Sequence, residues 1–169
     1  QAISGPLLVA VVLGVAVAVG LWWLYFDVAS LAAEHRLIEA RGQARVRLAV
    51  EAYTYGHFPV VAGIVLAALG MEGVLAHADQ SGPLGGFYAA ALFGGVALYL
   101  AGYLLFKRRM DGVLSLPRLM AVCVFLAALP AAAVLPPLVG LAGLVLILAA
   151  LIVVETTLYA QTRRDLRGA

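Results

Sequence analysis

The chain is poor in charge. Only 12% of its 169 residues are Asp, Glu, Lys or Arg, against ~25% in an ordinary soluble domain. Hydrophobic residues make up 64%. A water-soluble chain of this length has nowhere to bury so much apolar surface, so lipid must be its solvent. Cysteine is nearly absent. The one thiol, Cys123, excludes an intramolecular disulfide and a cysteine-built metal site. Its apolar neighbours in sequence predict a small core hydrophobe. Chemical signatures are missing as well. There is no glycine-rich phosphate loop followed by Lys, no His-Glu-x-x-His and no Cys-x-x-Cys. Ser4, Ser30, Ser81 and Ser115 lie at the ends of apolar runs or between them, which gives Ser/His/Asp catalysis little support. No basic face is interleaved with aromatics, so nucleic acid is not an expected partner. No cofactor is expected either, because His57 and His77 fall near opposite ends of one run and cannot pair around a redox group.

The chain does have apolar runs of spanning length, for which about 20 residues suffice. Five appear, at 6–26, 53–77, 84–106, 116–135 and 137–159. Hydrocarbon admits only helices and closed barrels, since every backbone polar group must be satisfied internally, and runs this long mean helices. The expected fold is therefore all-α, a polytopic transmembrane bundle of five spans in a single domain, 1–169. Trp22, Trp23, Tyr25 and Phe26 close the first run as an interfacial aromatic belt, and Asp27 marks the exit to water. The first run has no basic flank before it and no small-residue cleavage pattern after it, unlike a signal peptide. Gly56, Gly63 and Gly70 repeat every seven residues in the second run, as Gly95 and Gly102 do in the third. Such faces let helices approach closely. Pro59 starts or kinks the second helix, Pro130 bends the fourth, and Ser115 stands where an N-cap is wanted.

Orientation follows from the basic residues. Of 11 Lys and Arg, four lie in 28–52, four in 107–118 and three after residue 160. The turn at 78–83, the Pro136–Pro137 corner and the N-terminus have none. The positive-inside rule then predicts the N-terminus outside, the segment 28–52 in the cytoplasm and the C-terminus in the cytoplasm.

Few ionisable residues fall within the runs, where a charge costs at least ~2.5 kcal/mol. His57 and Glu72 are 15 residues apart on the second run, roughly 22 Å along a helix and about 60° around it. Glu155 sits near the end of the fifth. With Asp27, Glu51 and Arg118 it falls at the depth of His57. Asp27, His57, Glu72 and Glu155 form the candidate polar pathway, since intramembrane acids and histidines are common in proton and ion routes. Structural readings stand beside this one: Glu155 paired with Arg118, Glu72 holding helices together, His57 as an interfacial hydrogen bonder.

The block LWWLYFD at 21–27 and the block AYTYGHFPVVAGIVLAALGMEGVLAH at 52–77, joined by a charged Arg/Glu/Ala segment, resemble the bacterial low temperature requirement A family. The resemblance is carried by residues 1–80, at Trp22, Trp23, Tyr25, Asp27, Tyr53, His57, Pro59, Gly63, Gly70 and Glu72, and by hydropathy alone beyond them. Family members are longer and usually carry an acidic Phe-Phe-Asp motif and a Gly-Glu-Ser motif ahead of the matching region, neither of which is in this sequence. The resemblance implies the C-terminal half of a longer protein, partnered by the lipid bilayer and by its missing N-terminal half or other helices, with a homo-oligomer as an alternative. It implies a multi-pass protein of the bacterial cytoplasmic membrane, linked by name to growth in the cold, and supplies no reaction. Two functions are expected from these observations: a component of a proton/ion-coupled or small-solute transporter or channel, or a non-transporting structural or stress-adaptation protein acting through lipids or partners. A lipid-acting enzyme is a distant third.

Overall fold

The structure is a computed structural model that describes residues 4–26, 57–111 and 114–158. Asp27, Glu51, the segment 28–52 and the basic tail lie outside these residues. Within them the chain is helical, with no strand. Helix α1 is Gly5–Phe26 and α2 is His57–Ala76. Helix α3 runs without a break through Gly86–Ala89, Ala90–Gly94 and Gly95–Asp111. Helix α4 is Leu116–Val134 and α5 is Pro137–Leu158. All five are long and apolar enough to cross a membrane, as the runs predicted. Their outer faces carry Leu8, Val12, Val15, Phe58, Val65, Met120 and Leu146, all exposed. Water would not tolerate so continuous an apolar surface; lipid does.

The bundle is built around α3. It is 72% buried over its spanning length, whereas the other four helices are a third buried or less. Helices α2 and α4 flank α3, α5 packs on α4, and α1 packs on α5. The ring then nearly fails to close, because α1 and α2 touch only sparsely.

Gly63 and Gly70 on α2 and Gly95 and Gly102 on α3 lie on packing faces, as their spacing predicted, while Gly56 lies outside the described residues. A β-carbon at Gly63 would lie 2.5 Å from the backbone nitrogen of Tyr99 and 2.6 Å from the carbonyl of Gly95. Gly95 in turn meets the backbone of Ala67, Gly70 meets Leu92, and Gly102 meets Pro59 and Val60. Helices α2 and α3 are thus in backbone contact along most of their length, which only glycine allows. Where α3 passes Gly70 it widens into a π-helical segment, Ala90–Gly94, a feature that the hydropathy of the run does not signal.

At one end of the bundle the turn after α2 docks on the α4–α5 corner. Leu84 N–H donates to the Leu135 carbonyl at 2.9 Å, and Gly85 N–H to Ala133 at 3.0 Å. Gly85 has φ of 88°, which glycine adopts at no steric cost. Pro59 sits in the first turn of α2, where its missing N–H is no loss, and Pro130 lies inside α4, which continues to Val134.

Two expectations need correction. Cys123 is not in the core; it is exposed on the outer face of α4. Lipid makes that face apolar too, so an apolar neighbourhood in sequence does not separate inside from outside. Ser115 occupies the position before α4, in extended conformation, but makes no side-chain cap. Its hydroxyl is directed instead to Glu155.

Candidate functional site

Polar side chains gather at the end of the bundle marked by Arg108 and Arg109 in the last turn of α3. Glu155, one turn before the end of α5, faces inward because it falls on the same stripe as Leu141, Leu144, Leu148 and Leu151. Arg118, in the first turn of α4, reaches it bidentately. Nε donates to Oε1 at 2.6 Å and Nη2 to Oε2 at 2.8 Å. The two side chains are only 3% and 6% exposed, so the pair is sealed. Ser115 Oγ adds a longer contact to Oε1, at 3.4 Å.

Arg118 does more than neutralise Glu155. Its Nη2 also donates to the Leu24 carbonyl, 3.0 Å away in the last turn of α1. Carbonyls there lie at the negative end of the helix dipole. The guanidinium stacks 3.9 Å from the centroid of the Tyr103 ring, a geometry suited to arginine and not to lysine. Its Nη1 has no hydrogen-bond partner among the described residues. Three helices besides α4 are therefore held by one side chain.

Tyr99, one turn from Tyr103 on α3, donates from its hydroxyl to the Leu21 carbonyl at 2.6 Å. This buried bond ties α1 to the centre of the bundle. Tyr99→Phe is expected to lower stability by about 1 kcal/mol, the net worth of one such bond. Unfolding by SDS in mixed micelles would measure it.

His57 opens α2 across from the last turn of α1. Its Nε2 lies 2.6 Å from the Tyr25 hydroxyl, in a hydrogen bond whose direction follows the imidazole tautomer. Its ring also meets the edge of Phe106, with centroids 5.6 Å apart. Tyr25 and Tyr103 rings stand 6.5 Å apart. His57 and Glu155 thus belong to one cluster, bridged by Tyr25, Tyr103 and Arg118.

Glu72 does not join them. It lies four residues before the end of α2, at the other end of the bundle, and is exposed. It shares an outward stripe with Phe58, Val61, Val65 and Ala68. Nearby, His77 Nδ1 is 2.7 Å from the Gly73 carbonyl and Asp79 accepts from Ser4 Oγ at 3.0 Å. Trp22 and Trp23 are exposed at the end of α1, whereas Tyr25 beside them is half-buried and turned to His57. Asp27 lies outside the described residues.

Between α1 and α2 the incompletely closed ring leaves a lateral cleft of about 330 Å³. Ala18, Trp22 and Phe26 form one wall, Val61 and Ile64 the other, and Tyr99 lies at the back. The walls are apolar almost throughout, and Tyr25 and His57 supply polar atoms at one end. The cleft opens outward, since Ala18, Trp22, Phe26, Val61 and Ile64 are all exposed.

Sequence reasoning paired Arg118 with Glu155 as one alternative but missed Tyr99 and Tyr103. Their signal was available: two tyrosines one turn apart deep in an apolar, glycine-bearing run.

Five apolar helices packed through glycine, with Arg118 and Glu155 paired and buried at one end, define a polytopic helical membrane protein. Comparison of sequences takes this further. The family described as bacterial low temperature requirement A protein matches residues 1–153, and the chain belongs to that family. An uncharacterized protein of Rhizobium meliloti (strain 1021) is 37% identical over 95 residues, which is 56% of this chain and 22% of that protein. The chain thus spans a minor part of the length of the curated relative it matches. No solved structure matches it significantly.

Proposed function

We propose that this chain is a non-enzymatic helical body of a bacterial inner-membrane protein that acts through lipids and partner helices and does not itself conduct ions or solutes. The basic end faces the cytoplasm in this reading, following the distribution of Lys and Arg. One observation carries it: the two intramembrane acids among the described residues do not share an interior. Glu155 is closed off by Arg118, and Glu72 looks outward from α2 near the opposite end. A proton or ion route needs polar groups in succession, and α2 and α3 meet between them through glycine backbone.

The outward Glu72 favours a second reading. A carboxylate in hydrocarbon costs at least ~2.5 kcal/mol unless it is partnered. Helices outside this chain that cover it would build a polar interface, and transport would then run between them and α2.

Flux measurements on the full-length protein in proteoliposomes, with imposed H⁺, Na⁺ and K⁺ gradients, separate the two. The expected result is leakage equal to that of empty vesicles, unchanged in Glu72→Gln. Flux that Glu72→Gln abolishes would overturn the first reading and support the second.

A further inference from the structure

The outward face of α2 carries one acid in a stripe that is otherwise apolar. We propose that this face docks a transmembrane helix of the full-length polypeptide, outside residues 1–169, that brings a basic side chain to Glu72. The inference deepens the reading of a body that acts through partner helices, and rests on it.

The spacing is that of a helix seam. Phe58, Val61, Val65, Ala68 and Glu72 are all exposed, and they recur at alternating steps of three and four residues. That is the pattern by which two helices pack along their length, and a lone polar residue within it fixes register and partner. Ala68, in the middle of the stripe, leaves room for close approach. The opposite face of α2, at Gly63, Ala67 and Gly70, is already spent on α3.

Glu72 decides what covers the stripe. Helix α2 is 20 residues long, about 30 Å, which matches the hydrocarbon core. Glu72 stands four residues inside its end, about 6 Å below the boundary. The Cα–Cβ bonds of a helix tilt toward its N-terminus. For Glu72 that is the far end, so its side chain leans away from the nearer surface. It makes no hydrogen bond or ion pair among the described residues, and lipid tails offer none. Ionisable groups at such depth pair with one another.

The cation does not come from a second copy. No Lys or Arg occurs in 48–106. Lys107, Arg108 and Arg109 stand at the other end of the bundle, and Arg118 is buried against Glu155. His77 is turned to the Gly73 carbonyl and the Tyr88 ring. A symmetric contact through the stripe would set Glu72 against Glu72. The partner helix therefore lies in other sequence, and the curated relative has length for it, since the matched part is 22% of that protein.

The test is photocrosslinking of the full-length protein in its native membrane. A benzophenone amino acid replaces Val65 or, separately, Ala68, with the exposed Leu146 on α5 as control. Mass spectrometry should find Val65 and Ala68 joined to one apolar segment outside residues 1–169 that contains Lys, Arg or His, and Leu146 joined to lipid. Glu72→Lys should lower that yield by about tenfold or more, through like-charge repulsion. Exchanging the partner's cation for Glu in the same protein should restore it. Where Glu72→Lys fails to accumulate in the membrane, Glu72→Gln takes its place and should lower the yield in the same direction. Adducts to lipid alone at Val65 and Ala68, or to residues 1–169 of a second copy, overturn the proposal. So do a joined segment without a basic residue, a yield that neither variant lowers, and a loss that the exchange leaves unrestored. The flux assay stays independent: a docked helix alongside flux defeats the non-transporting reading alone, while neither docking nor flux defeats the docked helix alone.

Discussion

Arg118→Ala should lower the stability of the bundle by about 3–5 kcal/mol, the cost of stranding one member of a buried ion pair. The loss comes from more than one source. Glu155 would be left without its bidentate partner in a site where its side chain is 6% exposed. The Leu24 carbonyl on α1 would lose its donor, and the Tyr103 face would lose its cation. Because α1 rests mainly on α5 and barely on α2, it should be the first helix to loosen. Arg118→Lys should recover only part of the loss, since an ammonium can neither fork onto a carboxylate nor stack as a plane. The double substitution Arg118→Met with Glu155→Leu should recover most of it, because an apolar pair avoids the desolvation of two charges. SDS unfolding in mixed micelles measures all four proteins. A double variant no more stable than Arg118→Ala would show that the link to Leu24, and not the stranded carboxylate, carries the energy.

Gly63→Val should separate α2 from α3. Even the first carbon of the new side chain would sit 2.5 Å from Tyr99 N and 2.6 Å from Gly95 O. Both are backbone atoms of the central helix and neither can rotate away. Overpacking typically costs about 1–3 kcal/mol, and here relief requires moving a whole helix, so the upper end or beyond is expected. Gly143→Ala is the matched control. A β-carbon at Gly143 in α5 meets nothing within 4 Å, so the substitution should instead gain up to about 1 kcal/mol of helix propensity. Opposite signs at the two glycines, read by the same unfolding assay, would locate the stabilising contact at the α2–α3 seam. Equal, small effects would mean that the two helices can part without penalty.

These two sites were unequally legible beforehand. The seven-residue glycine repeats in α2 and α3 announced a close-packed face, and the structure pairs those faces with each other. The Arg118–Glu155 pair was foreseeable as one alternative, because both residues are charges inside apolar runs at the same computed depth. Its links to α1 and α3 were not, since a carbonyl acceptor and a ring face leave no mark in sequence. The direction in which Glu72 points was equally hidden. In water, polarity reports exposure; in lipid the inner and outer faces of α2 are both apolar, and the helix carries no polar stripe to show which way it turns.

For the same reason the sequence alone settled the number, length and placement of the membrane-spanning helices. Those follow from hydropathy and from the need of every backbone group for an internal partner, and the described helices begin and end close to the predicted spans. Which helix became the centre, where the ring stayed open, and which ionisable groups met were decided by tertiary packing. Glycine-to-backbone contact drew α2 onto α3, one arginine tied α1, α3 and α5 to α4, and the sparse contact between α1 and α2 left the cleft. Each depends on how the helices rotate about their axes, a choice that a uniformly apolar sequence in an apolar solvent does not express.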